Sequence, residues 1–248
     1  MRYADTMPEL PRAILFDLDD TIISAYSRPE LAWLSVTTEL AHAISPLTPE
    51  AATQAVSEYA AEFWSDPDRH KQHRQDLNAA RRHIVAGALA RLGAEGQQPF
   101  AADIALRLAD RYSSYRDEQM HLFEGAHETL DILRERGVLL GLVTNGSAEA
   151  QRPKVERFNL AERFDHIQIE SEHGFGKPEE RAYRHAMEAL NVQPHETWMV
   201  GDNLEWEIAA PQRLGIFAIW HDHMGDGLPP GATVIPDRII HRLEELLD

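Results

Sequence analysis

The stretch Ala13–Ser24, AILFDLDDTIIS, runs four apolar residues into three acids, Asp17, Asp19 and Asp20, and then returns to a pair of isoleucines. Four continuous apolar residues are too few for an amphipathic helix and read as a strand buried on both faces. Carboxylates crowded at the tip of such a strand repel one another. The arrangement therefore implies a cation, or a reaction, at that tip.

Comparable apolar runs follow at Val138–Thr144, His166–Glu170, Thr197–Gly201 and Phe217–Trp220, with Ala232–Pro236 (ATVIP) as a weaker sixth. Helical stripes lie between and after them. One is Ala182, Tyr183, Ala186, Met187 and Leu190; another, near the C-terminus, is Ile240, Leu243, Leu246 and Leu247. Strand–helix alternation from about residue 125 onward predicts an α/β fold with a doubly wound parallel sheet. The stretch Pro29–Met120 shows no strand pattern and reads as several helices, with Ile84, Val85, Ala88, Leu89 and Leu92 as the clearest stripe. Breaks fall near SPLTPE (Ser45–Glu50), SDPDRH (Ser65–His70) and GAEGQQP (Gly93–Pro99). About ninety residues thus separate the first strand from its companions, where a parallel crossover needs only a dozen or more. The expected organisation is a core of residues 1–24 and 122–248 with an all-α domain, 25–121, inserted after the first strand.

Composition narrows the function. The 248 residues carry 24 Lys and Arg against 41 Asp and Glu, a net charge of −17. That argues against a nucleic-acid surface or attraction to anionic lipid, and leaves room for a locally positive pocket for a small anion. There is no cysteine, so disulfides and thiolate metal sites are excluded. No run approaches the ~18–20 apolar residues of a membrane span. The first residues, MRYADTMPELPR, lack the apolar core of a signal peptide. A cytoplasmic protein is the expectation; nothing in the composition sets its oligomeric state.

In an open α/β sheet, ligands bind beyond the carboxyl ends of the strands. Asp17, Asp19 and Thr21 follow the first strand, Thr144, Asn145, Gly146 and Ser147 the second, Lys177 the third, and Gly201, Asp202 and Asn203 the fourth. These groups form a coherent chemical set. A carboxylate can attack phosphorus to give an aspartyl-phosphate. Carboxylate and phosphate repel, so further carboxylates would hold Mg²⁺, which prefers hard oxygen ligands. A lysine adds positive charge, a threonine hydroxyl and helix-start N–H groups can hold phosphoryl oxygens, and a second acid can protonate the leaving oxygen and then activate water.

In this order and spacing, FDLDDT, TNGS, GKP and GDN resemble the four motifs of the haloacid dehalogenase superfamily, in its phosphatase branch. The resemblance implies a Rossmann-like core with a helical cap that closes over the substrate. It implies Asp17 as nucleophile and Asp19 as general acid/base, with Thr144, Asn145 and Lys177 at the phosphoryl group. Mg²⁺ would be held by Asp17, Asp202 and the backbone carbonyl of Asp19. The expected reaction is Mg²⁺-dependent hydrolysis of a small-molecule phosphate ester, a phosphomonoester phosphatase, with no nucleic-acid or membrane partner. A 2-haloacid dehalogenase or phosphosugar mutase of the same superfamily, or a non-catalytic binding protein with this fold, are the alternatives. The Asp17/Asp19 pair and Asp202 favour the phosphatase.

Blander readings accompany several of these residues. Thr144-Asn145-Gly146 could be only a strand-to-helix turn with Ser147 as N-cap, and Lys177 a surface lysine before a proline-started helix. Asp20 reads as an outward or helix-starting residue outside the site. HDHMGDG, His221–Gly227, reads as a polar loop whose two histidines point to opposite sides. Arg69, His70, His73, Arg74, Arg81 and Arg82 read as a solvated helix face, with a cap surface for an anionic substrate as the alternative. Glu207 stands where the fourth motif usually has a second aspartate. It is expected to support the site from behind, holding a metal-bound water or pairing with Lys177. Pro211, four residues later, is expected to kink the chain there.

Overall fold

The computed structural model describes residues 10–94, 101 and 103–248; the N-terminal segment before residue 10 and most of the expected break at 93–99 lie outside them. Ala13–Phe16 form strand β1, and all four side chains are fully buried. A short β2 (Ile23–Ser24) follows. Six helices come next: α1 (Pro29–Glu39), α2 (Ala41–Ile44), α3 (Pro49–Trp64), α4 (Pro67–His73), α5 (Leu77–Ala94) and α6 (Ile104–Gln119). Then come β3 (His121–Leu122), α7 (Ala126–Glu135), β4 (Leu139–Thr144), α8 (Ala148–Arg157), β5 (His166–Ile169), α9 (Glu170–His173) and α10 (Glu180–Leu190). The chain ends with β6 (Thr197–Gly201), a π-helical turn (Leu204–Ala209), α11 (Ala210–Arg213), β7 (Phe217–His221), β8 (Arg238–Ile240) and a 3₁₀ turn (Leu243–Leu247).

The chain divides into two compact units, one of residues up to Ser24 with His121–Asp248, the other Ala25–Met120. The first holds a six-stranded sheet in the order β5-β4-β1-β6-β7-β8, every pair parallel. This is the doubly wound α/β sheet expected from the strand–helix alternation. β1 sits between β4 and β6, with Phe16 in register with Leu142 on one side and Val200 on the other. Strand order reverses at β1, which places the crevice of an open sheet at its carboxyl end. Leu15, Val143, Tyr183, Ala186, Met187, Leu190 and Met199 pack into one core cluster. Each such aliphatic or aromatic side chain stabilises the fold by about 1.5–3 kcal/mol when fully buried. The chain leaves this unit through β2 and re-enters it through β3, which pair antiparallel.

The second unit has helices and no strand among its described residues. Its helix starts follow from sequence: Thr48 caps α3 by accepting from Ala51 N at 3.2 Å, and Asp66 caps α4 by accepting from Asp68 N and Arg69 N, with a proline next in each case. Trp33 stacks on Tyr112 at 3.7 Å, and Ile84, Val85 and Leu89 join Phe63 and Leu108 in one core. Of the basic residues read as a solvated face, Arg82 pairs with Asp110 at 2.8 Å, and Arg69 lies over the Phe63 ring. Arg74, by contrast, is buried.

Four local readings are corrected. Ala232–Pro236 is not a strand; the sixth strand is Arg238–Ile240. Pairing with β7 starts only past Pro236, where Asp237 N donates to Ala218 O and Asp237 Oδ2 accepts from Ala218 N. Ile240 therefore belongs to a strand, and the C-terminal stripe is a 3₁₀ turn burying Leu243 and Leu246 rather than one helix. His221 is not in a polar loop but ends β7, fully buried. Its ring lies 5.6 Å from His223 on the same side, both against Phe123, because the chain turns at Asp222 and the strand alternation stops. Asp20 is neither outward nor at a helix start: it is buried, with a left-handed φ of 58°.

Candidate active site

Asp17 is the first residue past β1, and its N–H continues the ladder to Val200 O at 3.0 Å. The next residues fold back at once: Ile22 N and Ile23 N both donate to Leu18 O, and Asp20 N donates to Ile23 O. Asp17 and Asp19 are therefore held in a tight turn rather than a free loop. The Thr21 hydroxyl, fully buried, donates to Asp17 Oδ2 at 3.3 Å, and Lys177 Nζ donates to Asp17 Oδ1.

Lys177 is 1% exposed although it carries a charge. Its ammonium lies between two carboxylates, Asp17 and Glu207, with Glu207 Oε1 at 2.7 Å. Burial alone would lower the lysine, but these two partners outweigh it and raise its pKa. The backbone of Lys177 is fixed by Asn145, whose side-chain amide donates to Lys177 O and accepts from Lys177 N, each at 2.8 Å. Asn145 thus ties the loop after β4 to the loop carrying the lysine. Gly176 makes this approach possible, since a Cβ there would stand 2.5 Å from Asn145 Oδ1.

Glu207 owes its position to the π-helical turn. Asn203 caps the turn by accepting from Glu205 N and Trp206 N at 3.0 Å, while Asn203 N donates to Glu207 Oε2 at 2.9 Å. Glu207 packs against Gly201, where any Cβ would fall 1.9 Å from Glu207 Cγ. The expected kink at Pro211 takes a specific form. In the π register each N–H bonds five residues back, as Ala210 N does to Glu205 O. The next donor in that register, to Trp206 O, would be Pro211, which has no N–H. Tyr183, buried on α10, donates its hydroxyl to that oxygen.

Burial raises Asp17, with Asp19 nearby adding to the effect and Lys177 opposing it. Burial likewise pushes Glu207 up to about 7. The Asp202 carboxyl is raised well above the usual range by burial and by Glu207, Asp17 and Asp20 around it. Trp220 Nε1 donates to Asp202 O at 2.7 Å and holds the residue at the end of β6. Among the described residues no three Asp, Glu or His side chains stand as a ready-made set of metal ligands. The donor set nonetheless suits a magnesium ion: oxygen only, with Asp17, Asp20 and Glu207 all near enough to raise the Asp202 carboxyl and Lys177 opposing them. Magnesium is commonly held through one or two carboxylates with waters completing its shell.

Asp19 takes a different set of partners. Lys154 Nζ lies 2.7 Å from Asp19 Oδ1 and 2.8 Å from Oδ2, and Gln151 Nε2 donates to Oδ2 at 2.9 Å. Gln151 Nε2 also donates to Thr144 Oγ1 at 2.7 Å. The seven residues singled out from sequence thus fall into two linked groups: Asp17, Lys177, Glu207 and Asn145 in direct contact, with Asp202 beside them, and Asp19 with Thr144 through Gln151. Sequence reading missed Gln151, Lys154 and Glu170, whose carboxylate accepts from Gly146 N at 2.9 Å. A signal for the first two existed: α8 follows the Thr144 motif directly, and Val155 is its only large apolar buried residue.

Comparison with known proteins places this geometry. A glyceraldehyde 3-phosphate phosphatase of Pyrococcus furiosus is 26% identical over 212 residues, covering 84% of this chain and 80% of its own length. A phosphoserine phosphatase of Thermus thermophilus is 32% identical over 184 residues, 74% of this chain and 65% of its own. The crystal structure of the HAD-hydrolase YfnB of Bacillus subtilis bound to magnesium shares the fold, with a TM-score of 0.69 at 24% identity, over 96% of this chain and 97% of that one. A family model described as haloacid dehalogenase-like hydrolase matches residues 11–215, a span that includes every strand end carrying the polar groups above. The chain belongs to the haloacid dehalogenase-like hydrolases.

Proposed function

We propose that this protein is a phosphomonoester phosphatase that acts on a small phosphorylated metabolite through a phosphoryl group carried on Asp17. The observation that carries the reading is the Asp17 carboxylate, buried at the tip of the central strand and held by Lys177 and Thr21. A second carboxylate, Asp19, stands two residues on with partners of its own. Relatives named as phosphatases of glyceraldehyde 3-phosphate and phosphoserine support the substrate class.

In this reading Asp17 attacks phosphorus. The bond to the ester oxygen breaks with its electron pair on that oxygen, and Asp19 delivers a proton to it. The alcohol leaves. Asp19, now a carboxylate, takes a proton from water as the water attacks phosphorus; the bond to Asp17 breaks, its electrons return to the aspartate, and phosphate departs. Lys177 holds Asp17 in position and offsets the charge of the incoming phosphate. Thr144 supplies a hydroxyl to a phosphoryl oxygen. Bound magnesium, held by Asp17, Asp202 and the Asp19 carbonyl, would supply the positive charge that lets a carboxylate approach a phosphate dianion.

The test is hydrolysis of p-nitrophenyl phosphate by the wild type and by Asp17→Asn, with and without Mg²⁺. Turnover is expected only from the wild type with Mg²⁺, and acid quenching during turnover is expected to leave phosphate on the peptide containing Asp17. Full activity in a verified metal-free preparation, or activity of Asp17→Asn above a few per cent, would overturn the reading.

A further inference from the structure

We propose that Gln151 and Lys154 are positioning residues for the proton-transfer step: together they fix the Asp19 carboxylate and couple it to Thr144. The inference rests on the phosphatase reading above and extends it to two residues that the four motifs do not contain.

The contacts are dense for so small a region. Lys154 engages both oxygens of Asp19, and Gln151 engages one of them together with Thr144 Oγ1 and, at 2.8 Å, Asn145 O. The two residues stand three apart on α8 and so share one face of it. That face points inward: Gln151 is 3% exposed and Lys154 8%. Burying an ammonium and an amide costs free energy unless both are partnered, so two apolar residues would serve packing better. The partners they find are the very groups assigned to proton transfer and phosphate binding.

The Gln151 amide nitrogen faces three acceptors, which fixes its orientation, while its Oε1 is buried without a partner. Gln151 therefore leans entirely on Asp19, Thr144 and the Asn145 carbonyl. Because Thr144 Oγ1 accepts from Gln151, its own proton is directed elsewhere; its one contact as a donor, Asn145 O, is long at 3.4 Å. That proton is available to a phosphoryl oxygen. A single amide thus sets the hydroxyl that would hold the phosphate and the carboxyl group that would protonate the leaving oxygen. Without Lys154, the Asp19 side chain keeps one fixed contact on one oxygen and can rotate about both of its torsions. Misplacement of about 1 Å can cost on the order of 100-fold.

The experiment measures kcat/KM for substituted phenyl phosphates of graded leaving-group acidity. Activated esters need no proton on the leaving oxygen, and poor leaving groups do. In Lys154→Met, phenyl phosphate is expected to lose about 10–100-fold in kcat/KM, against less than about threefold for the dinitrophenyl ester, since positioned general acids contribute roughly 100-fold or more. The slope against leaving-group pKa steepens accordingly. Gln151→Met is expected to steepen it less and to raise KM as Thr144 loses its orientation, and Lys154→Arg to restore part of the wild-type slope. A uniform loss across the series, with an unchanged slope, would show that Lys154 only supports the fold and would overturn the proposal. If Lys154→Met does not fold, Lys154→Arg and Gln151→Met are read on the same criterion. Asp19→Asn separates the two levels. If it fails to steepen the slope, Asp19 is not the proton donor and the phosphatase reading fails in that step; if it steepens the slope and Lys154→Met does not, only the present inference fails.

Discussion

Tyr183→Phe removes one oxygen atom and, with it, the hydroxyl that donates to Trp206 O. That carbonyl sits in the π-helical turn at the position whose donor would be Pro211, which has none. The substitution removes that hydrogen bond from a part-buried carbonyl, at a cost of about 0.5–1.5 kcal/mol. For a protein of this size that corresponds to a fall in Tm of roughly 2–4 °C per kcal/mol. Pro211→Ala restores an N–H in the place where the π register needs it. In the Pro211→Ala background, Tyr183→Phe is therefore expected to cost about 1 kcal/mol less than in the wild type. The assay is urea unfolding of the four proteins of the cycle, whose coupling energy isolates the shared acceptor. Pro211→Ala alone changes the entropy of the unfolded chain by about 0.4–1 kcal/mol, and this cancels across the cycle. A coupling within ~0.3 kcal/mol of zero would refute the argument that Tyr183 stands in for the missing N–H.

Three further outcomes are expected. Glu207→Gln cannot accept at both Lys177 and Asn203 N, so Mg²⁺ affinity measured by calorimetry should fall by about 10–100-fold, as for other residues that orient ligands; unchanged affinity would remove Glu207 from the site. Gly201→Ala places a methyl group where Glu207 Cγ already lies, and the overpacking should cost about 1–3 kcal/mol or more in thermal unfolding; a neutral result would mean that Glu207 can move aside. His221 is lowered to about 4, by burial first and by His223 second, against an ordinary 6.5. The unfolded chain therefore takes up its proton first as pH falls. Stability from this group is complete above 6.5 and is lost toward 4, by about 2 kcal/mol at pH 5. Glu207, raised to about 7, acts in the opposite sense: its contribution is complete below 4.5 and is lost as pH rises through 7. Comparing the wild type with His221→Gln cancels the Glu207 effect, and the variant should lose less stability between pH 7 and 5; parallel curves would contradict a neutral buried His221.

Sequence was most informative where structure is local. Ala-Ile-Leu-Phe before Asp17, and Thr-Trp-Met-Val-Gly before Asp202, are buried at every position, and continuous apolar runs of that length have few other ways to fold. The order of those runs, with a strand-free stretch after the first, was enough to read a doubly wound sheet and a helical insertion. Legibility failed where the pattern was short or interrupted. Arg238–Ile240 is three residues long, and its pairing is decided by Asp237 gripping Ala218, an interaction no periodicity encodes. His221 and His223 were separated by a rule that holds along a strand, and the strand stops between them.

The amino-acid sequence by itself determined which carboxylates stand at strand tips, because alternation and apolar runs record how each residue is buried relative to its neighbours. Only the tertiary structure decided how those charges are shared: Lys177 with Asp17 and Glu207, Lys154 with Asp19 from 135 residues away. Such pairings leave no local trace. They follow from the cost of burying a charge, which each group lowers by taking whatever opposite charge the folded chain brings within reach.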